Sequence, residues 1–72
     1  MSAYDDFLAK YTKGEKGKLK GSEARDFLNS GGSSSDLSQF IANMEADNRF
    51  SVGGGAYDAL ANFNQTDGSG GS

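Results

Sequence analysis

Cysteine, histidine and tryptophan are all absent from these 72 residues. Without cysteine there is neither a disulfide nor a thiolate site to brace so short a chain. Apolar residues make up only 35% of it, so a single small core of marginal stability is expected. Without histidine or cysteine the commonest general bases, nucleophiles and soft metal ligands are missing, and no glycine-rich phosphate motif follows a strand. The chain is therefore expected not to be an enzyme and to use no cofactor. The run Gly53-Gly54-Gly55 reads instead as flexible spacing that weakens the start of the helix after it. The N-terminus, Met-Ser-Ala-Tyr-Asp-Asp, has neither the basic start nor the apolar run of a secretory signal, and no stretch approaches the length of a membrane span. The expected location is the cytoplasm, with no direct membrane contact.

The formal net charge of −3 hides an asymmetry. Lys10, Lys13, Lys16, Lys18, Lys20 and Arg25 lie together, opposed locally only by Glu15 and Glu23. Elsewhere Asp5, Asp6, Asp26, Asp36, Glu45, Asp47, Asp58 and Asp67 face the single Arg49. An acidic remainder suits a basic partner and speaks against nucleic acid.

Tyr4, Phe7, Leu8 and Tyr11 fall at the offsets of a short amphipathic helix, with Ser2 placed to cap it. A Gly- and Lys-rich stretch from Thr12 to Gly21 holds one apolar residue, Leu19, before Ala24, Phe27 and Leu28 resume a helical stripe. Asn29 to Ser35 breaks the chain and offers Ser34 or Ser35 as the next cap. Then Leu37, Phe40, Ile41 and Met44 reproduce the first stripe at a shift of 33 positions. A second loop with Val52 and a stripe of Tyr57, Leu60, Ala61 and Phe63 complete a second unit. The segment 64–72 is Gly, Ser and polar residues, read as a mobile tail.

Helix, twelve-residue loop and helix, with oxygen ligands at positions one, three, five, seven, nine and twelve and glycine at six, is the frame of an EF-hand. In the first unit Thr12 opens the loop, Gly17 falls on the sixth position, Leu19 on the apolar eighth and Glu23 on the twelfth. In the second, Glu45 opens the loop and Val52 is eighth, but Phe50 is sixth and Ala56 twelfth. On these residues the chain resembles the EF-hand family, in particular one lobe of calmodulin or of a myosin light chain, over roughly residues 3–63. The resemblance implies an all-α fold: two paired helix-loop-helix units, hand one at 4–31 and hand two at 36–63, in one calmodulin-like lobe. It also implies a short two-stranded β-ribbon that sets Leu19 beside Val52.

The match is to the frame rather than to the ligands. Loop one offers Thr12, Gly14 and Lys16 at positions one, three and five, leaving Glu23 as its one strong ligand. Loop two offers Glu45 and Asp47 but Arg49 at the fifth position and no carboxylate at the twelfth. Neither loop is expected to bind calcium or another metal. Lys16 and Arg49 stand where acids would face the ion, so two readings follow: drift after ligand loss, or replacement of the ion by internal pairs of Lys16 with Glu23 and of Arg49 with Glu45 or Asp47.

Leu8, Leu19, Ile41 and Val52 are expected to be core. By the resemblance, Tyr4, Phe7, Tyr11, Phe27, Leu28, Phe40, Met44, Tyr57, Leu60 and Ala61 would line a groove for a partner helix. Paired hands without calcium ligands in a single lobe resemble the light chains of class I myosins. That implies binding to an IQ motif, a basic amphipathic helix in the myosin neck, with stiffening of the lever arm. The alternative is a non-myosin adaptor lobe for a short amphipathic peptide; a peptide pocket of the EH type lacks its hallmark tryptophan here. Ser33-Ser34-Ser35-Asp36-Leu37 faintly resembles an acyl-carrier attachment site, but in the order Ser-Asp-Leu.

Overall fold

The computed structural model describes the backbone of residues 2–71 and the side chains of residues 2–63. Its elements are α1 (Ala3–Tyr11), β1 (Lys18–Leu19), α2 (Gly21–Asn29), α3 (Ser34–Ala46), β2 (Ser51–Val52) and α4 (Gly54–Gly71). Both strands and the starts of α2 and α4 repeat at the expected offset of 33. The fold is mostly helical with one small sheet. No described helix is long and apolar enough to cross a membrane. The expected Gly/Ser tail over 64–72 falls on residues whose side chains lie outside the described set, and the bounds of α4 extend into it.

Side chains fix three of the helix starts. The Ser2 hydroxyl accepts from the Asp5 N–H at 3.1 Å, as expected. At α3 the cap is Ser33, accepting from the Asp36 N–H at 3.0 Å, and not Ser34 or Ser35, which are already helical. The helix therefore begins earlier than its apolar stripe suggested. At α2 the Glu23 carboxylate reaches back to accept from the Lys20 N–H at 3.0 Å. Each such cap satisfies an N–H that the helix itself cannot, worth about 1 kcal/mol.

Between the loops, β1 pairs with β2 so that Leu19 stands opposite Val52 and Lys18 opposite Ser51. The two strands run parallel, held in part by the Ser51 N–H on the Gly17 carbonyl and the Gly53 N–H on the Leu19 carbonyl, at 2.8 and 2.9 Å. A two-fold axis standing across such a ribbon would reverse one strand against the other, so no such axis exchanges these two loops. Gly17 has φ 76°, the sharp turn expected of it, and a Cβ there would stand 3.1 Å from the Arg49 carbonyl oxygen.

Parallel strands deliver their helices side by side, and α2 and α4 begin in contact. A Cβ on Gly21 would lie 2.9 Å from the Gly55 Cα, so Gly55 is required for close packing rather than for flexible spacing. Below this point Ala24, Ala56 and Ala59 are buried between the helices. Leu19, Leu37 and Met44 are the largest fully buried side chains, joined by Leu8 and Ile41. Val52 is half-buried against this core.

Candidate functional site

Five of the ten expected groove residues come together in one aromatic cluster, of which Phe7 and Tyr11 are buried in the core and Tyr4, Phe27 and Phe40 are half-buried against it. Phe7 on α1 stacks on Phe40 of α3 at a centroid distance of 4.5 Å and an interplanar angle of 26°. Phe27 of α2 meets Phe7 edge-on at 5.2 Å and Tyr11 edge-on at 5.5 Å, and Tyr4 lies 6.3 Å from Phe40. Offset-stacked and edge-to-face pairs are the preferred arrangements of rings, so the cluster ties α1 to α2 and α3. Above it opens a shallow groove of ≈ 370 Å³, with Phe7, Tyr11, Phe27 and Phe40 as floor and Ala3, Asp6, Lys10, Gly32 and Asp36 around it. At Gly32 a Cβ would overlap the Phe27 ring.

The other five lie elsewhere. Met44 and Leu28 are buried in the core, and Leu60 packs against it half-buried. Tyr57 is 40% exposed and Ala61 is exposed. The stripe on α4 is rotated from the expected one because the close approach to α2 turns the small Ala56 and Ala59 inward. Asp6, Lys10 and Asp36, the polar rim, were not singled out from sequence. The signal was present on α1, where Ala3, Asp6, Phe7 and Lys10 follow the spacing of one helical face.

The loop positions are occupied by contacts within the chain. The Thr12 hydroxyl turns back to donate to the Leu8 carbonyl at 2.6 Å, and Glu23 is engaged in capping α2. Lys16 does not pair with Glu23, and among the described residues it forms no ion pair; Lys18 stands 3.9 Å from Glu15 instead. Gly14 lies under Glu23, where a Cβ would come 3.1 Å from the carboxylate. In loop two the Arg49 guanidinium donates to both Asp47 oxygens, at 3.1 and 2.9 Å. Those bonds, with a further one from the Arg49 N–H, hold the Asp47 carboxyl below its ordinary range. Glu45 does not pair with Arg49 but accepts from the Tyr57 hydroxyl, a bond that raises the Tyr57 pKa. Ala56, the twelfth position, is fully buried. Among the described residues no three His, Cys, Asp or Glu side chains come together as a metal site would require.

Two further features adjoin these sites. The Tyr4 hydroxyl oxygen is buried without a hydrogen-bond partner, and burial, with the neighbouring Asp47, raises its pKa. A second concavity of ≈ 220 Å³ lies between α2 and α4, bordered by Arg25, Leu28, Asn29, Ala59, Asn62 and Phe63. Comparison of the chain with models of protein families, with curated proteins and with solved structures finds no match.

Proposed function

We propose that the chain is a calcium-independent, non-catalytic docking lobe whose aromatic groove receives the apolar side of a basic amphipathic helix. In its most specific form, which rests on the resemblance to light chains, that helix is the IQ motif in the neck of a class I myosin, stiffened by the lobe. The observation that carries this reading is the aromatic cluster under the groove, where Phe7 and Tyr11 are buried and the half-buried Phe27 and Phe40 present apolar surface beside Asp6 and Asp36. Apolar side chains of the helix would cover the rings and its basic residues would face the two carboxylates. Calcium has no part in it, since Thr12, Glu23 and Asp47 are engaged in contacts of their own. The parallel ribbon is the feature for which the likeness to a light-chain lobe does not account.

A second reading, an adaptor lobe for a short peptide, is favoured by the size of the groove. With Met44 and Leu28 closed into the core, a space of ≈ 370 Å³ admits the anchor side chains of a short segment rather than a whole helix. Titration calorimetry in EGTA with a synthetic IQ helix and with a short peptide carrying one aromatic anchor separates the two. Binding of the IQ helix, unchanged by calcium and weakened at least about tenfold by Phe40→Ala in a folded lobe, supports the light-chain form. Preference for the short peptide supports the adaptor. Absence of binding to either overturns the docking function.

A further inference from the structure

We propose, against the expectation from sequence of no direct membrane contact, that the basic loop between α1 and α2, residues 12–20, is an interaction surface for an anionic lipid bilayer. This surface is separate from the aromatic groove and does not depend on what the groove binds.

The charge of the loop is not neutralised from within. Lys13, Lys16 and Lys20 are exposed, as is Lys10 at the end of α1. The one ion pair found in this block among the described residues is Lys18 with Glu15, at 3.9 Å and partly exposed at both ends, the kind that solvent and salt weaken. The Glu23 carboxylate caps the exposed Lys20 N–H and stands over Gly14, offsetting part of the charge, so that six basic side chains face two acidic ones in this block. The acidic groups that give the chain its net −3 lie mainly elsewhere in the sequence.

The ribbon gives this surface its form. Leu19 is fully buried, so the pleat turns its neighbour Lys18 to the outer side, opposite the exposed Ser51. The stem of Lys18 runs over Gly53, where a Cβ would come 3.5 Å from the Lys18 Cε. Gly53 and Ser51 keep that side low, and of the loop's lysines none borders either concavity.

Lysines that border neither of these two concavities can respond to electrical potential rather than to the outline of a ligand. A lysine ammonium is a hydrated point charge on a flexible stem, whereas planar, two-toothed recognition of a phosphate or carboxylate calls for arginine. A sheet of anionic headgroups supplies such a potential, and its attraction for basic segments decays within a Debye length, about 8 Å at physiological salt. Outside the basic block the sequence is acidic, which disfavours a polyanion that must also contact the rest of the surface.

The test is co-sedimentation of the full chain with vesicles of phosphatidylcholine alone or with about one-third phosphatidylserine, at low and physiological salt. Pelleting with the phosphatidylserine vesicles only, reduced by salt and cut at least about tenfold by Lys13→Glu with Lys16→Glu, is the expected result. The neutral pair Lys13→Gln and Lys16→Gln gives a smaller loss with unchanged helical circular dichroism, which separates lost charge from lost fold. Equal pelleting with neutral vesicles, no pelleting at low salt, or insensitivity to both lysine pairs overturns the proposal. Tighter capture by polyglutamate or duplex RNA than by the anionic vesicles also overturns it, assigning the loop to an acidic protein or a nucleic acid.

Discussion

Gly21 and Gly55 meet backbone to backbone, so closely that a Cβ on Gly55 would stand 3.1 Å from the Gly21 Cα. Gly54 beside it has open space. Gly55→Ala is therefore expected to destabilise the fold by about 1–3 kcal/mol through overpacking. Gly54→Ala should be neutral or stabilise it by about 0.4–1 kcal/mol, because alanine narrows the unfolded ensemble without strain. Thermal unfolding of the two variants gives the comparison. Equal melting temperatures would show that the helices do not touch here.

Tyr4→Phe removes a buried oxygen that has no partner. Such a group costs its desolvation and returns nothing, so the variant is expected to be as stable as the parent or more so. The ring contact with Phe40 is retained. Loss of more than about 1 kcal/mol in urea unfolding would mean that the hydroxyl makes a hydrogen bond in solution.

The Asp47–Arg49 pair predicts a specific acid response. Because the carboxyl is held below its ordinary range in the folded state, its contribution is present above the unfolded value near 3.9 and fades as pH falls through the folded value. Arg49→Gln should return the Asp47 titration, followed by carboxyl NMR, towards that unfolded value. The pair is exposed, so the accompanying loss of stability should be small. An unchanged Asp47 titration in Arg49→Gln would remove the pair as its cause.

Met44→Ala and Ile41→Ala should both act on the fold. Each side chain is buried in the same core, Met44 at 0% exposure and Ile41 at 4%, and truncation of such residues costs about 2–5 kcal/mol. A Met44→Ala lobe that keeps its melting temperature would place this side chain on a surface after all.

Calorimetry at millimolar calcium is expected to be flat. Loop-one Glu23 is spent on a helix cap and loop-two Asp47 on an arginine, so binding would first have to break those contacts. A saturable heat with micromolar affinity would overturn this reading of the loops.

What could be read from sequence was what short-range pattern encodes. The shift of 33 and the Ser2 cap follow from periodicity and from one residue's capping preference, while the turn at Gly17 and the pairing of Leu19 with Val52 are implied by the likeness to the helix-loop-helix frame. The orientation of α4 did not, because a stripe of large apolar residues pointed to Tyr57 and Phe63, while close helix packing selected Ala56 and Ala59. Met44 illustrates the same limit within the candidate site: helical spacing puts it on one stripe with Phe40, but only packing decides that Phe40 borders the groove and Met44 closes the core. Strand direction is likewise a relation between two distant segments, with no local residue to announce it.

The parallel ribbon also ties the two halves of the chain together through contacts distant in sequence. A hairpin can zip from its own turn, but β1 and β2 are separated by α2 and α3, so their pairing requires closure of the long segment between them. The Ser51 and Gly53 amides, donating to Gly17 and Leu19, thus become protected only when the two halves of the molecule have joined. Local fraying of one helix can leave these bonds intact, whereas separation of the halves breaks both at once. Their hydrogen exchange is a clock for closure of the entire chain.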